Sequence, residues 1–578
     1  MLVTKDNIVY CLNRIELGSV LVVDTETTGL SIQTKDRLCG ISILNELNEA
    51  FYFSFRHRSN NIDFSYLDKL KNIFDNKSCF IGFNYKFDMH ALLHDGFSYP
   101  KKLYDVLLAA HLCNENEESF ALKILSDKYI GKESSLDEKI LIEKINDLPE
   151  SKGKKKLLDK SYIRLLDAID VEPYACTDVK LTKALYDFYK PILDKWSLLN
   201  LWDELNEYML TLTKMENFGL KIDEEELDAS QNRLKILEEE YENKIKSFAG
   251  FDINVRSPSQ LKEWLKLPDV SKNTLKNTVL NNDLSNLILS YRVISKIRTT
   301  YIRKFKETMS NEKTIHCNFN ITGTCSGRLS CSNPNLQALP RNDADENSST
   351  EARNAVKRAI VSREGRTFIE ADFSQLELRV AADLSDSKTM KEIFASGIDF
   401  HQATADKMNC TRQIAKGLNF AILYGAGAEK VAYLLKISTG EARSYLKTYF
   451  ATFPELRALA KKAQHTATVR KYIRIFSGRI RHYYGMEQDY HKALNNLIQG
   501  SGAEACRYAL QRIDKSLIGK DAQIVLTVHD SIVVETNDNI LNEIILIVKE
   551  CMENQPWCSV KLKADIKIGK RLSEMKKN

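Results

Sequence analysis

Three apolar runs in this chain end in a carboxylate, and that pattern constrains the fold more than any other feature. SVLVVDTE carries Asp24 and Glu26 at its end, RTFIEAD ends in Asp372, and QIVLTVHD ends in Asp530. Short apolar runs rich in valine and isoleucine read as buried strands. A charge at the end of a buried strand is penalised unless a partner or a cation neutralises it. The strand ends must therefore be places where acids are gathered and met.

Asp24 and Glu26 are two residues apart, so on a strand both project from one face. Their mutual repulsion makes Mg²⁺ or Mn²⁺, which prefer carboxylate oxygens, a natural partner. NYKFD adds Asp88, and YACTD adds Tyr174 and Asp178, which share a helix face at i and i+4. Four acids beside a tyrosine can hold two ions and orient a water for in-line attack on phosphate. Taken alone, Asp-x-Glu also fits a charged surface strand.

The stretch RQIAKGLNFAILYG places Arg412, Lys416, Phe420 and Tyr424 four apart. On a helix these form one slowly winding stripe about 18 Å long, cationic at the N-terminal end and aromatic beyond it, with Gly425 ending the helix. Such a stripe matches a nucleoside triphosphate, phosphates at one end and base at the other. It equally fits an aromatic core face with snorkelling cations. Asp372 and Asp530 read singly as strand-end aspartates. Together they could hold two ions that activate a 3′-hydroxyl and stabilise a leaving pyrophosphate, but the sequence does not show that they meet.

At 578 residues the chain has room for roughly four folding units. Strand patterns at Ser19–Asp24 and Cys79–Phe83 alternate with helical ones such as Glu172–Tyr189, which predicts an α/β domain over the first 190 residues. Long charged helices follow at Glu224–Phe248 and Leu284–Met309, broken at NVRSPSQL, where Ser-Pro predicts a helix start. From 365 onward strand signals bracket a mainly helical middle. Arg366–Ala371 predicts one strand, and Gln523–Glu535 predicts a hairpin around His529, Asp530 and Ser531.

Lys+Arg 83 against Asp+Glu 78 gives a net charge of +5, which permits a polyanionic partner without requiring one. Lys152, Lys154, Lys155, Lys156 and Lys160 crowd into nine residues, either as a solvated segment or as a nucleic-acid contact. The twelve cysteines include no C-x-x-C pair, and Cys317, Cys325 and Cys331 fit no common zinc spacing, so reduced thiols in an intracellular protein are expected. The start has no signal-peptide pattern and no 18-residue apolar run occurs, so no membrane association is expected.

DTE, NYKFD and YxxxD in this order resemble the proofreading 3′–5′ exonucleases with four acidic ligands. DFSQLELR, RQIAKGLNFAILYG and VHDS resemble motifs A, B and C of the family A DNA polymerases, and TGTCSGRLSCSNPNLQALP is similar to that family's primer-template segment. The resemblance spans about residues 20–535. It implies a multidomain α/β chain: a ribonuclease-H-like exonuclease domain at 1–190, then a right-hand polymerase domain at 191–578. Within the latter it implies a thumb at about 205–312, a palm at about 313–385 and 516–578, and fingers at about 386–515.

The resemblance also implies roles. Asp372, the Phe373 carbonyl and Asp530 would face two Mg²⁺ ions in the palm, and Asp24, Glu26, Asp88 and Asp178 would face two in the exonuclease, with Mn²⁺ a substitute. Arg412 and Lys416 would grip the triphosphate, Lys416 could protonate the departing pyrophosphate, and His401 would contact phosphate. Phe420 and Tyr424 would face the nascent base pair, and Glu377 would block a ribose 2′-hydroxyl. Arg328, Asn335, Gln337, Asn495, Gln499 and His529 would line the primer-template minor groove, and Lys296, in YRVISKIRTTY, would touch the DNA backbone. The implied partners are primer-template DNA and dNTPs, with a helicase or processivity factor as further candidates, for a monomer in the cytoplasm of the cell or host.

Several positions depart from the bacterial pattern. With the first exonuclease carboxylate at residue 24, no preceding 5′-nuclease domain is expected. His491 stands where bacterial enzymes usually have arginine, and Ser531 where many members have glutamate. The thumb region is compact, and Phe420 in place of tyrosine predicts poor use of dideoxynucleotides. These features favour a phage replicative polymerase; a bacterial repair-type DNA polymerase I lacking the 5′-nuclease domain is the alternative. Glu377 and the exonuclease motifs speak against a single-subunit RNA polymerase, and six intact carboxylates speak against an inert DNA-binding scaffold.

Overall fold

Val20–Thr27 (β1) is the centre of the first sheet because its valines and leucine are buried while its end carries the acids. Leu38–Leu44 (β2) and Ala50–Ser54 (β3) follow antiparallel on one side; Cys79–Gly82 (β4) and Leu103–Asp105 (β5) add parallel on the other, in the order β3-β2-β1-β4-β5. Every residue of β2, β3 and β4 is buried, as expected for a sheet covered on both faces. The helices Tyr85–His94 and Ala168–Lys195 pack against it. The structure, a computed structural model, describes residues 1–131, 135–151, 158–277, 282–339 and 350–577. Of the lysine-rich stretch, Lys152, Lys154, Lys155 and Lys156 lie outside the described residues, and Lys160 lies within them.

The helix Leu199–Phe218 joins this unit to the rest of the chain by packing on β5, on Tyr85–His94 and on the second sheet. Its Trp202 is fully buried, and the indole N–H donates to the Asp105 carbonyl at 2.9 Å. Burying a large apolar side chain contributes about 1.5–3 kcal/mol, and here it seats the helix on β5 and on the Tyr104 and Tyr186 rings. Two short ladders follow: Leu220–Lys221 (β6) pairs with Thr314–Ile315 (β7), and Asn318–Asn320 (β8) with Ser330–Ser332 (β9).

The expected helix at 224–248 is Glu224–Ala249, capped by Asp223 accepting from the Glu226 N–H. That at 284–309 is Asn282–Lys296 continued through a π-type turn, Ile297–Ile302, into Arg303–Thr308. Between them Ser257 caps a helix with Pro258 at its first position. Ile245, Leu261, Ile288 and Tyr291 belong to a small core of their own.

Arg366–Phe373 (β10) is the central strand of the second sheet. The hairpin Tyr472–Arg474 (β11) and Ile480–His482 (β12) stands outside it. Ala522–Val528 (β13), Ser531–Asn537 (β14), Ala564–Gly569 (β15) and Lys576–Lys577 (β16) complete an antiparallel sheet of order β13-β14-β10-β15-β16. Helices Leu376–Ser385 and Ala493–Ser516 pack together beside it, and Arg412–Leu423 packs on Phe400–Met408. Among the described residues no helix is long and apolar enough to cross a membrane.

Candidate active sites

The first site forms at the end of β1. Asp24 pairs with Ser42 and Glu26 with Gly40 across the ladder, and a bulge follows immediately between Glu26 and Thr27, which ends the regular pairing at the acids. Asp24, Glu26, Tyr174 and Asp178 line one cleft of ≈ 790 Å³, whose far wall includes Lys304, His316 and Asn318 from the second half of the chain. Tyr174 and Asp178 project from one face of the Ala168–Lys195 helix, and the Tyr174 hydroxyl bonds the Asp178 carboxylate.

Asp88 sits behind this wall in the first turn of Tyr85–His94, buried, with one oxygen accepting from the Thr25 N–H at 2.8 Å and the Thr25 hydroxyl at 2.6 Å. That helix is itself anchored by Asp105, which accepts from the N–H groups of Asn84 and Tyr85 at 3.0 and 3.1 Å.

The electrostatics of the cluster are those of crowded like charges. Burial first, then Asp88 and Glu26, hold the Asp24 carboxyl well above the usual range. Burial and Asp178 push Glu26 up to about 8, and burial pushes Asp88 up to about 7. Asp178 is raised by burial despite an ion pair with Lys123. Two cations from other elements answer these acids. Lys123 is buried against Asp178 and 5.0 Å from the Tyr174 ring centre, and Lys160 Nζ lies 3.1 Å from the Tyr174 hydroxyl. With Thr25 holding Asp88 and Lys123 holding Asp178, no three His, Cys, Asp or Glu side chains among the described residues converge as a ligand cage. The donors are nonetheless all hard oxygens under mutual repulsion, which fits Mg²⁺ or Mn²⁺.

In the second site Asp372 stands opposite Ser531 on the β10–β14 ladder, and the Phe373 N–H donates to the Asp530 carbonyl at 3.1 Å. The two aspartates thus meet. Burial, then Asp530, pushes the Asp372 carboxyl up to about 6. The turn between β13 and β14 is made possible by His529, in the left-handed region at φ 55°. Arg328, Gln337, His529 and Asp530 line one small cavity.

Glu377, buried in the first turn of Leu376–Ser385, accepts from Arg328 Nη2 at 2.7 Å and from the Tyr424 hydroxyl. Burial raises its carboxyl, with Arg328 opposing. The stripe is a helix, Arg412–Leu423, capped by the Thr411 hydroxyl; Tyr424 is the half-exposed C-cap and Gly425, at φ 69°, leaves in the left-handed region. Arg412 is held by Asp399, its Nη2 3.0 Å from the carboxylate, while Lys416 is exposed. The buried His401 takes a bond from Asn419 at 3.0 Å, and its ring lies 5.6 Å from that of Phe420.

The remaining expected contacts are spread more widely. Asn495 donates to the Leu423 carbonyl at 3.3 Å, tying the Ala493–Ser516 helix to the end of the stripe, and Gln499 lies one turn further on. Gln337 reaches the Thr527 carbonyl at 3.5 Å, and the exposed Asn335 caps its own 3₁₀ turn. Lys296 stands apart on another element, exposed at the end of Asn282–Lys296. Thr25, Lys123, Lys160 and Asp399 join these sites without being foreseen from sequence. Each meets its partner from a separate element, and only Lys160, as the last of the lysine run, carries a signal.

Residues 224–574 match the family described as DNA polymerase family A, and residues 1–194 match a family described as 3′–5′ exonuclease. DNA polymerase I of Borreliella burgdorferi is 28% identical over 99% of this chain and 64% of its own length. That of Pseudomonas aeruginosa is 26% identical over 97% and 64%. The thermostable DNA polymerase I of Thermus filiformis is 30% identical over 69% and 51%. The chain thus spans between half and two-thirds of the length of these relatives. Among solved structures, the POL domain of Pol1 from M. smegmatis in complex with DNA primer-template and dNTP shares the fold, with a TM-score of 0.80 at 23% identity and 99% of each chain covered.

Proposed function

The chain belongs to DNA polymerase family A, with a 3′–5′ exonuclease module in its first 194 residues, and on that premise we propose that it extends a primer 3′-hydroxyl with dNTPs on a DNA template and removes 3′-terminal nucleotides at a second site. The observation that carries the synthetic half is the β10–β14 register, which sets Asp372 beside Asp530. The proposed division is an exonuclease domain at 1–190 and a polymerase domain at 191–578, with thumb at about 205–312, palm at about 313–385 and 516–578, and fingers at about 386–515.

Two Mg²⁺ ions per site, or Mn²⁺ in their place, suit Asp372, the Phe373 carbonyl and Asp530 in one cleft and Asp24, Glu26, Asp88 and Asp178 in the other; when bound they supply charge at the reacting phosphate. The chain's own residues do the rest. Arg412 exchanges Asp399 for the triphosphate, Lys416 binds beside it and gives a proton to the departing pyrophosphate, and His401 contacts phosphate. Phe420 and Tyr424 face the new pair, and Glu377 fills the space a 2′-hydroxyl would need.

Arg328, Asn335, Gln337, Asn495, Gln499 and His529 follow the minor groove, where acceptors recur at every correct pair, and Lys296 meets the backbone. The Arg412–Leu423 helix closes on a correct nucleotide. Tyr174 orients the water in the editing cleft, which supplies discrimination beyond binding alone.

Primer-template DNA and dNTPs are the proposed partners, the same two that the M. smegmatis complex holds, for a monomer in the cytoplasm, that of the host if the chain is phage-encoded, with a helicase or processivity factor as further candidates. The run HKALN, with His491, supports a phage replicative role. The similarity to bacterial DNA polymerase I favours a second reading, a repair-type enzyme of that kind. Product length per binding event on a long template separates the two, long tracts supporting the replicative reading.

Incubating a labelled primer-template with Mg²⁺, with and without dNTPs, tests the function itself. Extension with dNTPs and shortening without them is expected. Shortening alone would overturn the synthetic half, and so would an Asp372→Ala variant that still extends.

A further inference from the structure

The lysine run that begins at Lys152 ends in the editing cleft. Lys160 opens a 3₁₀ turn, Lys160–Leu165, whose start is fixed by Asp159 accepting from the Ser161 N–H at 3.1 Å and hydroxyl at 2.5 Å. From there the side chain crosses to Tyr174, with Nζ 3.1 Å from the hydroxyl and 5.3 Å from the ring centre. Glu138 Oε1 lies 2.5 Å from the same ammonium. Lys160 lines the cleft together with Asp24, Glu26, Tyr174 and Asp178.

Two ammonium groups therefore flank Tyr174, and they are not equivalent. The Lys123 side chain is 9% exposed and paired with Asp178, whereas that of Lys160 is 44% exposed. A buried cation balances the acids behind it. A half-exposed one in the cleft wall also meets whatever enters. What enters, on the exonuclease reading, is a single-stranded 3′ end, a polyanion approaching four carboxylates. An ammonium has three donors; Tyr174 and Glu138 take two, which leaves a third for the cleft. Glu138 and Tyr174 hold the ammonium in place from two sides, so less side-chain freedom is lost when a phosphate arrives.

We propose that Lys160 is a substrate-binding residue of the editing site, holding a backbone phosphate at the 3′ end of single-stranded DNA with one N–H while fixing the Tyr174 hydroxyl with another. The proposal rests on the exonuclease reading above.

The test is steady-state removal of 3′ nucleotides from a single-stranded oligonucleotide in Mg²⁺ at several salt concentrations, for the full chain and for Lys160→Met and Lys160→Arg. Lys160→Met should raise KM about tenfold, equivalent to ~1.4 kcal/mol, with a smaller change in kcat. The dependence of log KM on log salt should weaken by about 0.7, the loss of one phosphate contact on a single strand, and Lys160→Arg should restore both. Primer extension should be unchanged, which shows that the variant is folded; if Lys160→Met loses extension, Lys160→Gln takes its place in the same comparison.

A fall in kcat with unaltered KM and salt slope would overturn the phosphate contact, leaving Lys160 as a support for Tyr174. A wild-type chain that removes no nucleotide would instead overturn the exonuclease reading itself.

Discussion

Arg328 and Glu377 meet across the second cleft, the guanidinium Nη2 lying 2.7 Å from a carboxylate oxygen. The Tyr424 hydroxyl bonds the same carboxylate. One buried acid thus joins the segment after β8, the helix after β10 and the end of the Arg412–Leu423 helix. Removing it leaves the part-exposed Arg328 without its partner, and removing the arginine leaves a buried carboxylate unpaired by charge.

Glu377→Ala should therefore relax the rejection of ribonucleotides, and Arg328→Ala should weaken extension of matched primers. The two effects on kcat/KM should be non-additive, with a coupling of about 0.5–3 kcal/mol typical of residues in contact. Single-nucleotide incorporation with dNTP and rNTP across the double-mutant cycle measures it. Strict additivity would mean that the contact does nothing in synthesis.

The four acids of the first cleft repel one another, and Lys123 and Lys160 offset only part of that charge. The pair of substitutions Asp24→Asn and Glu26→Gln should raise the melting temperature in EDTA by a few degrees, since like charges are removed at little cost in volume. Wild type should gain stability on adding Mg²⁺, by about 2.7 kcal/mol at a hundredfold excess over Kd, and the variant should gain little. Nucleotide removal should be lost while primer extension persists. Thermal unfolding with and without Mg²⁺, beside both assays, checks each part.

Glu216 is a second buried acid with a structural task. Its carboxylate accepts from Lys86, from the Phe319 N–H at 2.6 Å and from His90 Nε2 at 2.7 Å, and Lys86 also reaches Asn318. Burial pushes the carboxyl up, but Lys86 and His90 outweigh it and hold it below the usual range. The network ties the Tyr85–His94 helix, which carries Asp88, to β8 of the other half. Glu216→Ala should cost about 3–5 kcal/mol, because Lys86 stays buried without its counter-ion. Glu216→Gln, whose amide oxygen can still accept from Lys86 and the Phe319 N–H although its NH₂ replaces the acceptor facing His90, should cost less. Urea unfolding midpoints test the order of the two variants, and equal losses would mean that the hydrogen bonds add nothing beyond the charge, which both variants remove.

What was legible in the sequence was local. Strand-end acids at Asp24, Glu26 and Asp372, the hairpin around Asp530 and the helical stripe from Arg412 all follow from periodicity within a dozen residues. Register between β10 and β14, which brings Asp372 to Asp530, is set by side chains far apart in the chain, so local periodicity does not show it and only the motif resemblance put the two acids together. The same holds for Lys123 on Asp178, Asp399 on Arg412 and Thr25 on Asp88. Each is a single polar residue on an otherwise ordinary element, and only folding gives it a partner. The π-type turn at Ile297–Ile302 was likewise hidden, since its composition is that of any amphipathic helix.

His57 supplies a pH dependence whose sign follows from its surroundings. Its ring is buried, with Nε2 2.5 Å from the Tyr52 hydroxyl and Nδ1 3.3 Å from the Ile163 carbonyl. Burial pushes its pKa down to about 4, and His111 is likewise pushed down to about 4. In the unfolded chain both titrate near 6.5. As pH falls below 6.5 the unfolded state takes up protons that the folded state refuses, so stability is present above 6.5 and is lost progressively towards 4. At pH 5 the loss attributable to His57 is about 2 kcal/mol, from about 1.5 pH units below its unfolded value. Raised carboxyls such as Asp372 act in the opposite sense, but wild type and variant share them. His57→Gln should therefore lose fewer degrees of melting temperature than wild type between pH 7 and pH 5, although it is less stable at pH 7 for want of the ring. Parallel curves would show that His57 takes up its proton in the folded state as readily as in the unfolded one.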